Sequence, residues 1–244
     1  MTSAVTLARL VVGVDFDDTS ASAARAAGRL ATAAGATITA FHAAVPDAPA
    51  YFTPDQIADL EAEREARRAS LAADLRRFLQ PQIPHAIDVV IGDGPPGDGL
   101  VRLAAEADLV VIGTHQRHGP RRWWLGSVAE NVVSRSPGPV LVVPRGTELP
   151  SIQETPTVLV VGGSREADGW GVLLGHLLGG RPVHTADLRG CDPELVRRAG
   201  LVVWALPAGG RQPLMADAGP VLRECARPVL FIPPGGGTVE GNRS

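Results

Sequence analysis

The stretch ADLVVIGTHQRHGPRRWWLGSVAENVVSRSPGPVLVVP (107–144) decides the fold of this protein. It holds two short apolar runs rich in valine and isoleucine, DLVVIG (108–113) and PVLVVP (139–144), separated by a segment with helical spacing. Such runs are typical of parallel strands that are covered on both faces, because neither face then needs polar side chains. The stretch therefore predicts a strand–helix–strand unit of a parallel sheet.

Three further apolar runs precede this unit and alternate with alanine-rich segments of helical spacing: LVVGVD (10–15), ATITAFHA (36–43) and AIDVVIG (86–92). The longest helical segment begins at Thr53-Pro54, where threonine suits the cap and proline the first helical position. Its middle, EAEREARR (61–68), carries little apolar surface, so this helix is expected to stand partly clear of the fold. The alternation of strands and helices predicts an α/β fold with an open, doubly wound parallel sheet.

The remainder of the chain repeats this plan in shortened form. Three of its runs, TVLVVGG (157–163), RAGLVVWALP (198–207) and ARPVLFIPP (226–234), echo the first, fourth and fifth strands. Counterparts of the long helix and of the strand at 86–92 are missing, which predicts a tandem repeat with a truncated second domain. The expected divisions are a complete domain at 1–146, a linker at 147–156, a truncated copy at 157–234 and a disordered tail at 235–244.

Composition excludes several classes of protein. All 23 basic residues are arginine, and without lysine the chain cannot be a Schiff-base enzyme, a pyridoxal enzyme or a lysine-dependent phosphate-loop protein. The net charge of −3 gives no electrostatic case for binding nucleic acid or an anionic membrane. No apolar run approaches the ~18–20 residues that span a bilayer, and the N-terminal apolar segment predicts a strand and not a signal peptide. The two cysteines lie far apart, which favours a reduced, cytoplasmic setting.

The candidate site lies where the strands end. In an open parallel sheet, ligands bind beyond the carboxyl ends of the strands, at the point where the strand order reverses. After Gly113 an arginine-bearing loop leads to Gly126-Ser127-Val128, which opens a helix. Free backbone N–H groups at such a helix start favour an anion. The residues leave a second interpretation open, in which Gly126 permits close packing and Ser127 is only a helix cap.

Five segments, in this order and at this spacing, resemble the universal stress protein family: VGVDFDDTS (12–20), FHA (41–43), ADLVVIGTH (107–115), GSVAENVV (126–133) and GPVLVVP (138–144). The resemblance covers residues 10–145 as one family domain and implies the strand order 3-2-1-4-5. It implies a cytoplasmic stress-response protein that binds ATP, ADP or AMP as a regulatory ligand, with magnesium only on the nucleotide. The whole chain then resembles a tandem member with a degenerate second copy.

The resemblance also implies which residues form the site. Gly113 matches the first glycine of the family's phosphate-binding hallmark and Gly126-Ser127 match its close, whereas Gln116 replaces the middle glycine. A side chain there occupies the place where the backbone approaches the phosphates. Val14 and Asp15 are expected under the adenosine and Ala43 against the adenine, although Asp15 also suits a cap or turn and Ala43 plain core packing. The ribose and phosphates are expected at Gly113, Gln116, Gly126, Ser127 and Val128.

Other residues of the loop carry weaker signals. Arg117, Arg121 and Arg122 can neutralise phosphates in place of lysine, or can simply be solvated. His115 and His118 have no evident third ligand, so no metal site is expected beyond magnesium on the nucleotide near Asp15, Asp17 and Asp18. Trp123-Trp124 favour core or interface packing.

The leading functional hypothesis is nucleotide binding without catalysis. No nucleophile–base pair is evident, so an enzyme is not expected, and any ATP hydrolysis is expected to be slow and incidental. The alternative is a stress adaptor that binds no nucleotide and acts through its domain or dimer surfaces on an unknown protein partner.

The repeat also predicts how the two halves meet. The last strands, PVLVVP (139–144) and PVLFIP (228–233), are expected to pair edge to edge in an intramolecular pseudo-dimer, and a further homodimer stays open. The second sheet is expected to have four strands and to expose the flank of PVHTADL (182–188).

Overall fold

The computed structural model describes residues 5–44, 54–114, 125–150, 154–185, 193–207 and 227–234. Strands and helices alternate along these residues, as predicted for an α/β fold. In chain order they are β1 (Arg9–Gly13), α1 (Asp18–Ala34), β2 (Thr37–Ala44), α2 (Pro54–Leu79), β3 (Asp88–Asp93), α3 (Pro96–Ala104), β4 (Leu109–Thr114), α4 (Ser127–Arg135), β5 (Val140–Pro144), β6 (Thr157–Val161), α5 (Arg165–Leu178), β7 (Arg181–Thr185), α6 (Pro193–Arg198), β8 (Ala199–Ala205) and β9 (Val229–Ile232).

The strands form one sheet in the order β3-β2-β1-β4-β5-β9-β8-β6-β7. The first five strands are parallel and confirm the expected order 3-2-1-4-5. The chain leaves β1 toward β2 and β3 on one side and returns to β4 on the other side. This reversal opens a crevice at the carboxyl ends of β1 and β4.

The last strands of the two halves pair, as predicted. β5 runs antiparallel to β9, with Val140 opposite Phe231 and Leu141 opposite Leu230. All four side chains are buried. The pairing removes two sheet edges and joins the nine described strands of both halves in a single sheet.

The described part of the second half contributes four parallel strands, as expected, and β7 lies at the end of the sheet. The N–H group of Arg181 points inward and donates to the carbonyl of Pro156 (2.9 Å). Backbone groups of successive residues point to opposite sides of a strand, so the next outward N–H position belongs to Pro182, which has no N–H group. This proline blunts the edge against pairing with another chain.

Helices cover both faces of the sheet and bury two apolar clusters, which confirms the doubly wound arrangement. The helices of the first cluster are α1, α2 and α5, whose buried members include Leu30, Leu75 and Leu174. The second contains α3, α4 and α6, with Leu100, Val132 and Val196. Each cluster includes side chains from both halves, so the two halves share their core.

Helix α2 stands partly clear of the fold, as expected from its sequence. The side chains of residues 61–67 are all exposed, and the helix is anchored by Leu75 and Leu79 near its end. Among the described residues, no helix combines the length and the apolar character needed to cross a membrane.

Candidate functional site

The turn that follows β1 presents a free carboxylate at the crevice. The N–H group of Val14 donates to the carbonyl of Phe41 (2.9 Å), and the Val14 side chain is buried at 6% exposure. Asp15 is exposed; its N–H group donates to Ser20 Oγ (2.8 Å), and its carboxylate has no hydrogen-bond partner in the part of the chain that the structure describes. The cap of α1 is Asp17, which accepts from the N–H group of Ser20 (2.7 Å). Of the two alternative roles of Asp15, the helix cap is therefore wrong, whereas the structure does place this residue in the turn before α1.

Phe16 lies in the same turn, His42 contacts it from β2, and neither residue was singled out by the sequence. Phe16 has a φ of +53°, which is rare for a residue with a Cβ. Its ring packs edge-on against His42 (centroids 4.8 Å apart) and Phe78 (5.6 Å), and His42 Nδ1 lies 2.9 Å from the carbonyl of Val14. These contacts hold the turn in a conformation that would otherwise cost about 1–3 kcal/mol. In the sequence, the only sign of this turn was an aromatic residue directly after Val14-Asp15.

Ala43 lies near the end of β2, opposite Gly92 of β3, and is half-buried. It packs against the second apolar cluster, so its side chain is explained by the core. Its position in the strand still places it beside the turn of Val14 and Asp15, because Phe41 of the same strand accepts the hydrogen bond from Val14.

Helix α4 begins without a side-chain cap. Gly126 is the cap residue, with ordinary extended backbone (φ −62°, ψ 162°), and it has no side chain that could accept from the first N–H groups of the helix. A Cβ on Gly126 would meet no described atom within 4 Å. Ser127 is the first helical residue and is exposed, and Val128 is 37% exposed. The interpretation of Ser127 as the helix cap is therefore wrong, and the described neighbours of Gly126 do not require a glycine.

Gly113, in contrast, is explained by packing. A Cβ on Gly113 would lie 2.5 Å from Thr19 Cγ2 and 2.6 Å from the Thr19 carbonyl oxygen, so only glycine fits. The contact brings the first turn of α1 onto the end of β4. As a result, the turn of Asp15 and the carboxyl end of β4 border the same crevice.

Several predicted site residues lie outside the described residues: His115, Gln116, Arg117, His118, Arg121, Arg122, Trp123 and Trp124. Within the described ranges, no group of three histidine, cysteine or acidic residues could hold a metal ion. The described charges near the crevice are those of Asp15, Asp17 and Asp18, and of Arg145, which follows β5 and pairs with Asp18 (2.5 Å).

Comparison with known proteins shows to which family this chain is similar. The model of the universal stress protein family matches residues 7–144. A universal stress protein of Mycobacterium tuberculosis is 33% identical over 151 residues, which is 59% of this chain and 47% of that protein. The chain thus spans about half the length of the curated relatives it matches.

A solved structure shows the same fold. A universal stress protein from Archaeoglobus fulgidus matches 93% of this chain and 98% of its own, with a TM-score of 0.68 at 14% identity, a likeness of fold alone. A universal stress protein in complex with cAMP matches 58% of this chain at 28% identity, with a TM-score of 0.43. Since the family model covers more than half of the sequence, the chain belongs to the universal stress protein family.

Proposed function

We propose that this protein binds one adenine nucleotide in its first half, as a regulatory ligand in the stress response. The observation that carries the proposal is the start of α4, where the helix lacks a side-chain cap and begins at a glycine that its described neighbours do not require. Free N–H groups and the positive end of the helix dipole favour a phosphate at this point. Gly126, Ser127 and Val128 would hold the phosphates and ribose.

The adenosine would lie toward β1 and β2. The free carboxylate of Asp15 is an acceptor for N–H or O–H groups, such as those of an adenine amino group or a ribose. Val14 and Ala43 would form the apolar floor. Gly113, Gln116, Arg117, Arg121 and Arg122 complete the proposed site, with the arginines screening phosphate charge and any magnesium arriving with the nucleotide.

We propose that the second half is a degenerate, non-binding copy of the first. Its first strand is followed by Gly162-Gly163-Ser164, with no acidic residue at the place of Asp15. Ser164 Oγ caps α5 by accepting from the N–H group of Ala167 (3.1 Å). The protein as proposed is a cytoplasmic nucleotide-binding regulator and not an enzyme.

Calorimetry with ATP, ADP and AMP tests the proposal on the protein and on two variants, Gln116→Gly and Gly126→Val. We expect one micromolar site, stronger binding in Gln116→Gly and no binding in Gly126→Val. A far-ultraviolet circular dichroism spectrum checks that Gly126→Val is folded, which we expect because its side chain meets no described atom. If Gln116 crowds the outer phosphates, AMP or ADP binds more tightly than ATP.

Two results would contradict the proposal. Micromolar binding that survives Gly126→Val would place the site elsewhere. The adaptor function would be favoured if no nucleotide binds to the protein or to Gln116→Gly, and if no nucleotide is found among the small molecules released when the purified protein is denatured.

A further inference from the structure

The segment between the two halves is fastened along α1 by a ladder of contacts, which we call the α1 clasp. Asp18, Ser22, Arg25 and Arg29 are spaced four, three and four residues apart and form one stripe of the helix. They contact residues 145–150 in the same order. The stripe is ~16 Å long, and the segment follows it after a turn at Arg145-Gly146.

The contacts of the clasp are polar and specific. Arg145 pairs with Asp18 (2.5 Å), and the N–H group of Gly146 donates to Ser22 Oγ (3.0 Å). Arg25 Nε lies 3.0 Å from a carboxylate oxygen of Glu148, an ion pair in which Nε makes no hydrogen bond. Residues 147–150 begin the stretch that the sequence predicts to be a linker, yet nearly every residue from 145 to 150 has a partner on α1.

Arg29 forms the last step of the ladder. It donates to the main-chain carbonyls of Leu149 and Pro150, the latter at 2.6 Å. Leu149 itself is buried in the first apolar cluster.

The two ends of the clasp touch different parts of the molecule. At one end, the N–H group of Arg145 donates to the carbonyl of Thr114 (3.0 Å), so the main chain of this residue lies at the carboxyl end of β4, next to the proposed site. At the other end, Pro150 packs against Gly200 at the start of β8, where a Cβ would lie 2.7 Å from Pro150 Cγ. The segment therefore connects the crevice of the first half to the second half.

We propose that Asp18 and Arg145 form a latch for which a nucleotide phosphate competes. The inference rests on the proposed function and assigns a regulatory residue to that site. Both side chains are mostly exposed, at 76% for Asp18 and 57% for Arg145, so their pairing is weak and exchangeable. A planar guanidinium binds phosphate oxygens as readily as a carboxylate. When phosphate takes Arg145 from Asp18, the first step of the clasp opens and residues 145–150 loosen toward the second half.

Binding measurements with adenosine and AMP test the competition. Removing the carboxylate in Asp18→Asn frees Arg145, so AMP should bind about fivefold more tightly. Arg145→Ala should lower the affinity for AMP about fivefold. A fivefold change corresponds to the contribution of one well-placed surface ion pair. Adenosine, which has no phosphate, should bind all variants alike. In the double variant the gain from Asp18→Asn should disappear. If the pair only supported the structure, both single variants would lower the affinity for adenosine as well as for AMP. That result would overturn the proposal.

A matched control separates the latch from a general charge effect. Asp98 lies in the first turn of α3 and also pairs with an arginine, Arg135. Asp98→Asn removes the same charge from the same edge of the sheet but should change AMP affinity less than about twofold. An equal gain in Asp98→Asn and Asp18→Asn would overturn the latch.

Hydrogen exchange at the Gly146 amide reads the clasp directly, because Ser22 Oγ accepts from that N–H group. Saturating AMP should speed its exchange about fivefold, whereas saturating adenosine should not change it. In Arg145→Ala, the Gly146 amide should exchange rapidly without ligand and should not respond to AMP. In Arg77→Ala, which breaks a remote pair with Asp74, the same amide should respond to AMP as it does in the unmodified protein. If AMP binds but the exchange rate of the Gly146 amide does not change, the latch is overturned and the proposed function is not. If neither adenosine, AMP nor ATP binds, the proposed function fails and the latch fails with it.

Discussion

Thr19, in the first turn of α1, fills the space beside Gly113 in which any other residue would place its Cβ. A glycine at the end of β4 is thus required by the contact between helix and strand, whether or not a phosphate is bound. Gly126, 13 residues further along, has no such contact with a described residue. Among the described residues, the two glycines therefore differ in their packing.

We expect Gly113→Ala to lower the free energy of unfolding by about 2 kcal/mol, because the added Cβ must displace backbone atoms of α1. Gly126→Ala is the matched control and should change stability by less than about 0.5 kcal/mol. Urea denaturation followed by circular dichroism measures both. Equal effects of the two substitutions would contradict the difference in their packing.

The left-handed conformation of Phe16 predicts an inversion of the usual order of alanine and glycine. Both Phe16→Ala and Phe16→Gly lose the ring contacts with His42 and Phe78, but only glycine adopts a φ of +53° freely. Phe16→Gly should therefore be more stable than Phe16→Ala by about 1 kcal/mol. Thermal denaturation of both variants measures this difference. An alanine variant as stable as the glycine variant would show that this turn is not strained.

Burial raises the pKa of the Glu166 carboxyl, in the first turn of α5, from 4.5 to about 7. The folded state then holds the proton more tightly than the unfolded state, so the free energy of unfolding should fall as pH rises from about 4.5 to about 7 and level off above. Allowing for solvent screening of a half-buried group, we expect a loss of about 1 kcal/mol.

Glu166→Gln should abolish this dependence and be the more stable protein at pH 8, whereas Glu106→Gln, at an exposed position, should keep it. Urea denaturation at several pH values between 4 and 8 provides the measurement. If the free energy of unfolding of Glu166→Gln still falls with pH as in the unmodified protein, other groups cause the pH dependence.

The second half should not fold alone. In a fragment of residues 155–234, β9 loses its pairing with β5, and the apolar clusters lose all side chains of the first half. We expect this fragment to aggregate or to remain molten, with no cooperative thermal transition. The full chain should unfold in a single transition because both clusters extend across both halves. A soluble fragment that melts cooperatively would show that the second half is an independent domain.

The sequence by itself determined the alternation of strands and helices and the order of the first five strands, and it proposed a position for the candidate site. Parallel strands buried on both faces must be apolar throughout, so runs such as those at 108–113 and 139–144 are visible without a structure. The repeat of the last strand in each half also predicted the β5–β9 pairing, because an unpaired edge of that composition would be a liability. Gly126-Ser127 was found from its place after a strand and before a helix.

Only the tertiary structure decided what the irregular segments do. Residues 145–150 are polar and without periodicity, which is typical of a linker, yet Ser22, Arg25 and Arg29 hold them against α1. Neither the role of Gly113 nor the left-handed turn at Phe16 follows from neighbouring residues, because Thr19, His42 and Phe78 reach them from other elements. Periodic patterns record burial along one element, whereas these contacts join residues far apart in sequence, and that information exists only once the chain has folded.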